Sequence, residues 1–299
     1  MMEAASGLSL AVLCIQVLVG LSKATILFIV ASGLTLILGV LRIPNLAHGS
    51  LYMIGAFTTY TLAMYFGPGR HGFFLALLLA PLVVALIGLV MERGLFRFLY
   101  QRDHLMLLLF TFSFALVFGD LVKIIWGSDY RSLSVPEIFQ GSVVLLGMPF
   151  ARYNLFLLAL GPLFALALWF FTTRTRLGKI ARAAALDRDM VGAVGINVNL
   201  VYSAVFVFAC FLAGIGGALV APTQNITQGM DQSIIIEIFL IVIIGGLGNV
   251  WGALLGAVIF GLTDAIGILI VPQFAIVFPY LVVIFVLLFR PRGLLKSTW

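Results

Sequence analysis

Residues 233–271, SIIIEIFLIVIIGGLGNVWGALLGAVIFGLTDAIGILIV, decide how this chain is built. Over 39 positions only Glu237 and Asp264 carry charge. At 1.5 Å rise per residue, a single helix of that length is roughly twice as long as the ~30 Å hydrocarbon layer of a bilayer. The run must therefore break, and Gly245-Gly246-Leu247-Gly248 is where helix-weakening glycines concentrate.

Working outward, apolar runs of spanning length recur at 19–41, 48–66, 72–92, 104–126, 153–173, 199–221 and 274–289. They predict an all-α, polytopic integral membrane protein with about eight principal transmembrane helices plus a broken or re-entrant element. Residues 8–18 form a short apolar lead-in, either interfacial or part of the first helix. Composition agrees: 63% of residues are hydrophobic and 9% charged, against about 25% charged in an ordinary soluble domain. Residues 1–299 read as one transmembrane domain.

Several function classes are disfavoured at once. Cys14 and Cys210 lie inside apolar runs without ligand spacing, so no disulfide or metal site is expected. The basic residues are scattered through short loops, which is a poor nucleic-acid footprint. Glu3 precedes any basic residue up to Lys23, unlike the positive start of a cleaved secretory signal. No Ser/His/Asp set, HExxH or Gly-x-Ser-x-Gly elbow is present, so no catalytic residues are expected. Gly178-Lys179 is followed by Ile180 and lacks the upstream glycine of a phosphate loop, so an ATP-driven process needs a separate nucleotide-binding subunit.

The one hydrophilic island is 174–197, RTRLGKIARAAALDRDMVGAVGIN, which holds Arg174, Arg176, Lys179, Arg182 and Arg188. If it faces the cytoplasm and spans alternate, the inside segments also hold Arg42, Arg93, Arg97, Arg102, Arg290, Arg292 and Lys296. That leaves Lys23, Arg70, Lys123, Arg131 and Arg152 towards the outside. This bias follows the positive-inside rule, with the N-terminus outside and the C-terminus cytoplasmic. Loop 127–152, with Asp129, Arg131, Pro136, Glu137, Gly141 and Pro149, is then an outer structured cap. Within the island, a helix is expected from Gly178 to about Gly192, with Ala183-Ala184-Ala185 leaving it thin enough for a groove on another protein. Gly192 and Gly195 can end it. A solvated loop requires the arginines but not the alanines, so docking is the favoured reading.

Two further elements are candidates for a translocation path or gate. In Gly39-Val40-Leu41-Arg42-Ile43-Pro44-Asn45-Leu46-Ala47-His48, Pro44 ends the first helix and Asn45 is placed to cap the next. This is either a tight turn or a broken element beside a path, since irregular backbone at membrane depth survives only inside protein or along a cavity. His48 reads more readily as a packing residue than as a proton relay. Gly245, Gly246 and Gly248 either flex or line a pore, or belong to a small-residue stripe, Gly248, Gly252 and Gly256, for close helix packing. Ala213, Gly217 and Ala221 repeat that spacing and offer a packing partner. Within spans, Asp120, Glu237 and Asp264 are the acidic groups, and Lys123 can pair with Asp120.

The stretches 39–55 (GVLRIPNLAHGSLYMIG), 178–197 (GKIARAAALDRDMVGAVGIN), 245–256 (GGLGNVWGALLG) and Arg290-Pro291-Arg292-Gly293-Leu294 resemble the membrane-spanning permease subunits of bacterial branched-chain amino-acid ABC importers. The similarity covers nearly the whole chain. It is nearer the shorter, H-type subunit of the high-affinity system, because Asn45-Leu46-Ala47-His48-Gly49 follows the first span directly. Leu46 departs from the aromatic usual in the family. The resemblance implies a permease subunit in the bacterial inner membrane that works with a paralogous permease, two cytoplasmic ATP-binding subunits and a periplasmic solute-binding protein. ATP and Mg would sit on those partners, with no cofactor in this chain. It also implies that 174–197 is the coupling segment, with Gly178, Arg182, Ala183, Ala184 and Asp187 at the matching positions. Such permeases serve branched-chain amino acids but also urea, short amides and other small carboxylates, so the solute stays open. The alternatives are an ion-coupled secondary carrier, which needs charged coupling sites near mid-membrane, and a channel, which needs a filter or pore rings.

Overall fold

The computed structural model describes residues 10–67, 69–96, 98, 103–274, 276–291 and 293–295. Glu3, Arg97, Arg102, Arg292 and Lys296 of the charge reading lie outside the described residues.

Helix α1, Leu10–Leu36, continues as a π-helical turn, Ile37–Leu41. From Leu10 onward the lead-in is thus part of the first helix. Next come α2 (His48–Phe66), α3 (Arg70–Met91, extended by a π-turn Glu92–Phe96) and α4 (His104–Trp126). A 3-10 turn, Glu137–Phe139, and a hairpin of β1 (Ser142–Leu145) and β2 (Met148–Ala151) follow. Then come α5 (Arg152–Arg174), α6 (Arg176–Leu186), α7 (Arg188–Ala193), α8 (Val198–Val220), α9 (Met230–Gly245), α10 (Val250–Ile270) and α11 (Val277–Phe289). The polytopic helical architecture is as expected. Loop 127–152 adds the hairpin, whose two-residue turn, Leu146 and Gly147, has positive φ at both positions, the twist that joins antiparallel strands tightly.

Among the described residues, six segments are long and apolar enough to cross a membrane: Leu10–Leu41, Arg70–Phe96, Leu105–Trp126, Arg152–Arg174, Val198–Val220 and Val250–Ile270. The expected count of eight principal spans is not reproduced by that measure. The 39-residue run does break at the glycines: α9 ends at Gly245, and Gly246 and Gly248 take positive φ. The 16 residues of α9 and 13 of α11 are shorter than the roughly 20 a crossing needs.

Helix α1 is the centre of the fold, with 89% of its apolar window buried, against 22% for α4. Both are apolar all round, so exposure and not composition separates the core helix from the one facing lipid or a partner. Around α1 stand α5, α8, α9 and α10, while α2 and α3 pack on α8. Glycine sets the closest approaches. A Cβ on Gly217 would lie 2.1 Å from the Tyr52 carbonyl oxygen, and one on Gly245 would lie 2.2 Å from the Gly252 oxygen. The stripe carrying Gly217 therefore packs on α2 rather than on the glycines of α10, whose Gly252 and Gly256 face α9.

Between α1 and α2 the chain turns back on itself. Arg42 sits in the left-handed region at φ 58°, a conformation that costs a bulky side chain energy. His48 then meets the middle of α1, with its Nε2 3.1 Å from the Val30 carbonyl oxygen. Because a carbonyl only accepts, Nε2 carries the proton. The returning backbone meets buried Thr111 of α4: Thr111 Oγ1 accepts from Leu46 N at 3.2 Å, and its one hydrogen faces both Leu108 O at 3.0 Å and Pro44 O at 3.3 Å. Asn45 does not cap α2. The N-cap position is Ala47, and the Asn45 side chain is fully buried with neither amide atom bonded among the described residues.

Candidate functional site: a charged docking segment and a polar cavity

The island 174–197 folds as two helices instead of one. Asp187 interrupts it at φ −147°, and its Oδ1 accepts from Met190 N at 2.9 Å, capping α7. An aspartate that can bond the next turn's free N–H favours a fresh helix start over helix interior. Thr175 and Asn197 cap α6 and α8 in the same way, accepting from Gly178 N at 3.0 Å and Leu200 N at 3.2 Å. Three side-chain caps within one segment, each worth about 1 kcal/mol, fix its path.

Position in the fold separates the expected coupling residues into two sets. Gly178 and Ala184 face the protein's own spans. A Cβ on Gly178 would lie 2.1 Å from the Phe171 carbonyl oxygen, and Ala184 is 3% exposed. Ala183 and Asp187 point outward, and Arg182 is half-buried. Ala184 and Ala185 thus seat the helix on its own chain, and only Ala183 of the run stays on the outward side. What it presents outward is apolar and was missed in the sequence: Leu186, Met190 and Val194 are 72%, 62% and 72% exposed. Lys179, Asp187 and Asp189 beside them are exposed as well.

The island is fastened to the spans at two points. Arg42 Nη2 donates to the Ala185 carbonyl oxygen at 2.9 Å, joining α6 to the end of α1. Arg188 lies 5.5 Å from the Tyr202 ring centroid and donates to Asn199 Oδ1 at 3.4 Å, joining α7 to α8. So the Pro44 segment and the island, far apart in sequence, share one face. Gly245, Gly246 and Gly248 lie elsewhere, at the α9–α10 turn, where Leu294 N and Leu295 N donate to the Ile244 and Gly245 carbonyls. These bonds satisfy carbonyls that a helix end leaves open.

At the far ends of the spans, loop 127–152 is tied to segment 221–229. Arg131 and Ile226 exchange backbone hydrogen bonds at 3.0 and 2.8 Å, and Gln228 Nε2 donates to Gly127 O at 2.8 Å. Beneath this cap is a cavity of about 590 Å³ among α1, α2, α5, α8 and α9. Lys23 and Glu237 line it with Tyr52, Asn154 and Ser233. Lys23 Nζ donates to Asp264 Oδ2 at 2.9 Å and lies 3.9 Å from Glu237 Oε1. Reading spans one at a time missed this cavity, since the charges that line it come from α1 and α9, with Asp264 of α10 behind Lys23. The available signal was that α1, α9 and α10 place Lys23, Glu237 and Asp264 at similar depth. Two buried carboxylates were missed also: Glu92, which accepts from the Ser203 hydroxyl, and Asp231, which accepts from Ser50 Oγ at 3.0 Å. Asp120 and Lys123 do pair, at 3.4 Å, on the exposed surface. Among the described residues no cluster of three or more metal-ligating side chains occurs.

Comparison with known proteins places the chain. The family model described as branched-chain amino acid transport system / permease component matches residues 16–287. The high-affinity branched-chain amino acid transport system permease protein BraD of Pseudomonas aeruginosa is 28% identical over 292 residues, covering 94% of each chain. LivH of Escherichia coli K12, with the same description, is 25% identical over 298 residues, again covering 94% of each. LivM of Salmonella typhimurium, also a permease protein of such a system, is 24% identical over 94% of this chain and 70% of its own length. Among solved structures, PsaBC from Streptococcus pneumoniae in complex with Fab aligns over 91% of this chain at 15% identity and a TM-score of 0.47, too loose a likeness to add to the assignment. With the match running through nearly every helix, the chain belongs to the family of permease components of branched-chain amino acid transport systems.

Proposed function

We propose that this chain is one membrane half of an ATP-driven importer for branched-chain amino acids or related small polar solutes, with no nucleotide site and no cofactor of its own. ATP and Mg would reside on two cytoplasmic ATPases, and a periplasmic protein would deliver the solute. The second membrane half would be a paralogous permease, a reading that the shared similarity to LivH and LivM supports. The chain would lie in the bacterial inner membrane with its N-terminus outside and its C-terminus in the cytoplasm, as the basic-residue bias favours.

The observation that carries this reading is the exposed ridge Leu186, Met190 and Val194 on the most charged segment of the chain. An apolar ridge with a polar rim on a surface otherwise bathed in water has the makeup of an interface. In the proposed mechanism the ATPases grip this ridge, with Ala183 and Asp187 on its flank, Arg182 beside it and Gly178 and Ala184 seating it from beneath. Closure of the ATPases on ATP would shift α6 and α7. The Arg42 bond carries that shift into α1, and the Arg188 contacts carry it into α8. Both helices wall the cavity, so the stroke would alter its access to one side of the membrane, an alternation between two states biased by nucleotide. Asn45 and His48, in the fold-back against α1, would move with that helix.

The test is proximity. In a Cys14→Ser background, Met190→Cys is expected to cross-link to the co-expressed ATPase through a short thiol-reactive reagent. Val144→Cys, on the hairpin at the opposite face and 71% exposed, should not. Equal cross-linking from both positions, or from Val144 alone, overturns the docking assignment.

A further inference from the structure

The cavity walls hold opposite charges that are only partly satisfied by one another. Lys23 commits one N–H to Asp264 at 2.9 Å. Glu237 lies 3.9 Å from the same ammonium, beyond hydrogen-bond distance, and makes no hydrogen bond among the described residues. Asp264 is behind Lys23 and does not line the cavity. Lys23, Glu237 and Asp264 together carry one excess negative charge, and Glu237 is where it meets the open space. Ionisable groups at membrane depth are costly and mark solute or ion paths. The volume, about 590 Å³, is within the range of small-molecule sites, roughly 300–1,000 Å³.

We infer that this cavity binds the head group of a zwitterionic amino acid, with the solute's ammonium donating to the Glu237 carboxylate and its carboxylate accepting from the free N–H groups of Lys23. An ion pair standing just beyond hydrogen-bond distance leaves each partner open on the cavity side, and a zwitterion presents the two complementary charges on adjacent atoms. Asn154 and Ser233 supply neutral donors and acceptors to the rest of the head group. Ile26, Leu27, Leu157 and Ile234 line the apolar remainder, which suits an aliphatic side chain. Because the excess charge is negative, the ammonium contributes more than the carboxylate. This inference rests on the importer reading above and assigns its solute contact within the membrane to named groups.

The test is binding to the full chain in lipid nanodiscs, without any ATPase, by saturation-transfer NMR with leucine, isoamylamine, isovalerate and urea as probes. Leucine is expected to bind best, the amine more weakly and the acid least. Glu237→Gln, which keeps the side chain's shape, is expected to weaken leucine about tenfold to a hundredfold, the loss of one charge-assisted hydrogen bond. Lys23→Arg should retain binding. Isovalerate binding as well as leucine, urea binding where leucine does not, or unchanged affinity in Glu237→Gln would each overturn the inference. The probe series on the parent protein decides the matter even if a variant does not fold. Binding that follows this order while ATP-driven uptake is absent would leave the zwitterion site standing and remove the importer reading alone.

Discussion

Replacing Leu186 and Met190 together by glutamate is expected to abolish ATP-driven uptake while the membrane spans stay folded. Both side chains are well over half exposed, so the substitutions remove little packing within the chain. In an interface, each truncated or charged apolar anchor costs about 2 kcal/mol or more. Two adjacent anchors then weaken ATPase docking by about a thousandfold. Leu186→Ala alone should give an intermediate loss. Co-purification of the ATPase reports docking, and a thermal-unfolding profile of the detergent-solubilised chain reports the fold. Full uptake by the double variant would remove the ridge from the mechanism. Ala184 is the wrong position for this experiment. It is buried against its own chain, so a bulky residue there would lift α6 from the spans and confuse loss of docking with local unfolding.

Gly217→Val is expected to cost the fold heavily. Its new Cβ would lie 2.1 Å from Tyr52 O, 2.7 Å from Ala56 N and 3.1 Å from Gly55 C. All three are backbone atoms, so no side-chain rotation relieves the overlap and α2 must separate from α8. Overpacking of a tight helix contact costs about 3 kcal/mol or more when the backbone has to move. The displaced helix carries Tyr52, which lines the cavity, so stability and solute binding should fall together. Gly119→Ala is the matched control: nothing lies within 4 Å of its Cβ position, and alanine in a helix interior is favoured over glycine by about 1 kcal/mol. Thermal unfolding of the two variants should move in opposite directions. Equal melting temperatures for Gly217→Val and the parent protein would contradict the close α2–α8 contact.

The helix order and the break at Gly245–Gly248 were legible in the residue order because apolar length and glycine clustering are local properties. Faces were not legible. In α1 and α4 nearly every position is apolar, and only the assembled protein distinguishes the buried helix from the exposed one. The fold-back at 42–48 was readable as an interruption, since Pro44 stops a helix, but its route against α1 depends on Thr111, a residue of a helix that follows much later. Asn45 shows how a local rule fails here: its type suits a helix cap, yet the turn carries it two residues too early. The island's helical character was legible too. Its interruption at Asp187 followed a capping preference that competed with the apolar pattern and won. At the cavity, Lys23 and Glu237, with Asp264 behind Lys23, each look like an isolated charge in the sequence, and only three-dimensional proximity makes them a site.

The most direct measurement is solute uptake into proteoliposomes that hold this chain with its paralogous permease and the ATPases, supplied with the solute-binding protein and enclosed ATP. The account predicts leucine accumulation that requires ATP hydrolysis and vanishes when the ATPases are omitted. Accumulation driven by an ion gradient in liposomes lacking any ATPase would contradict it.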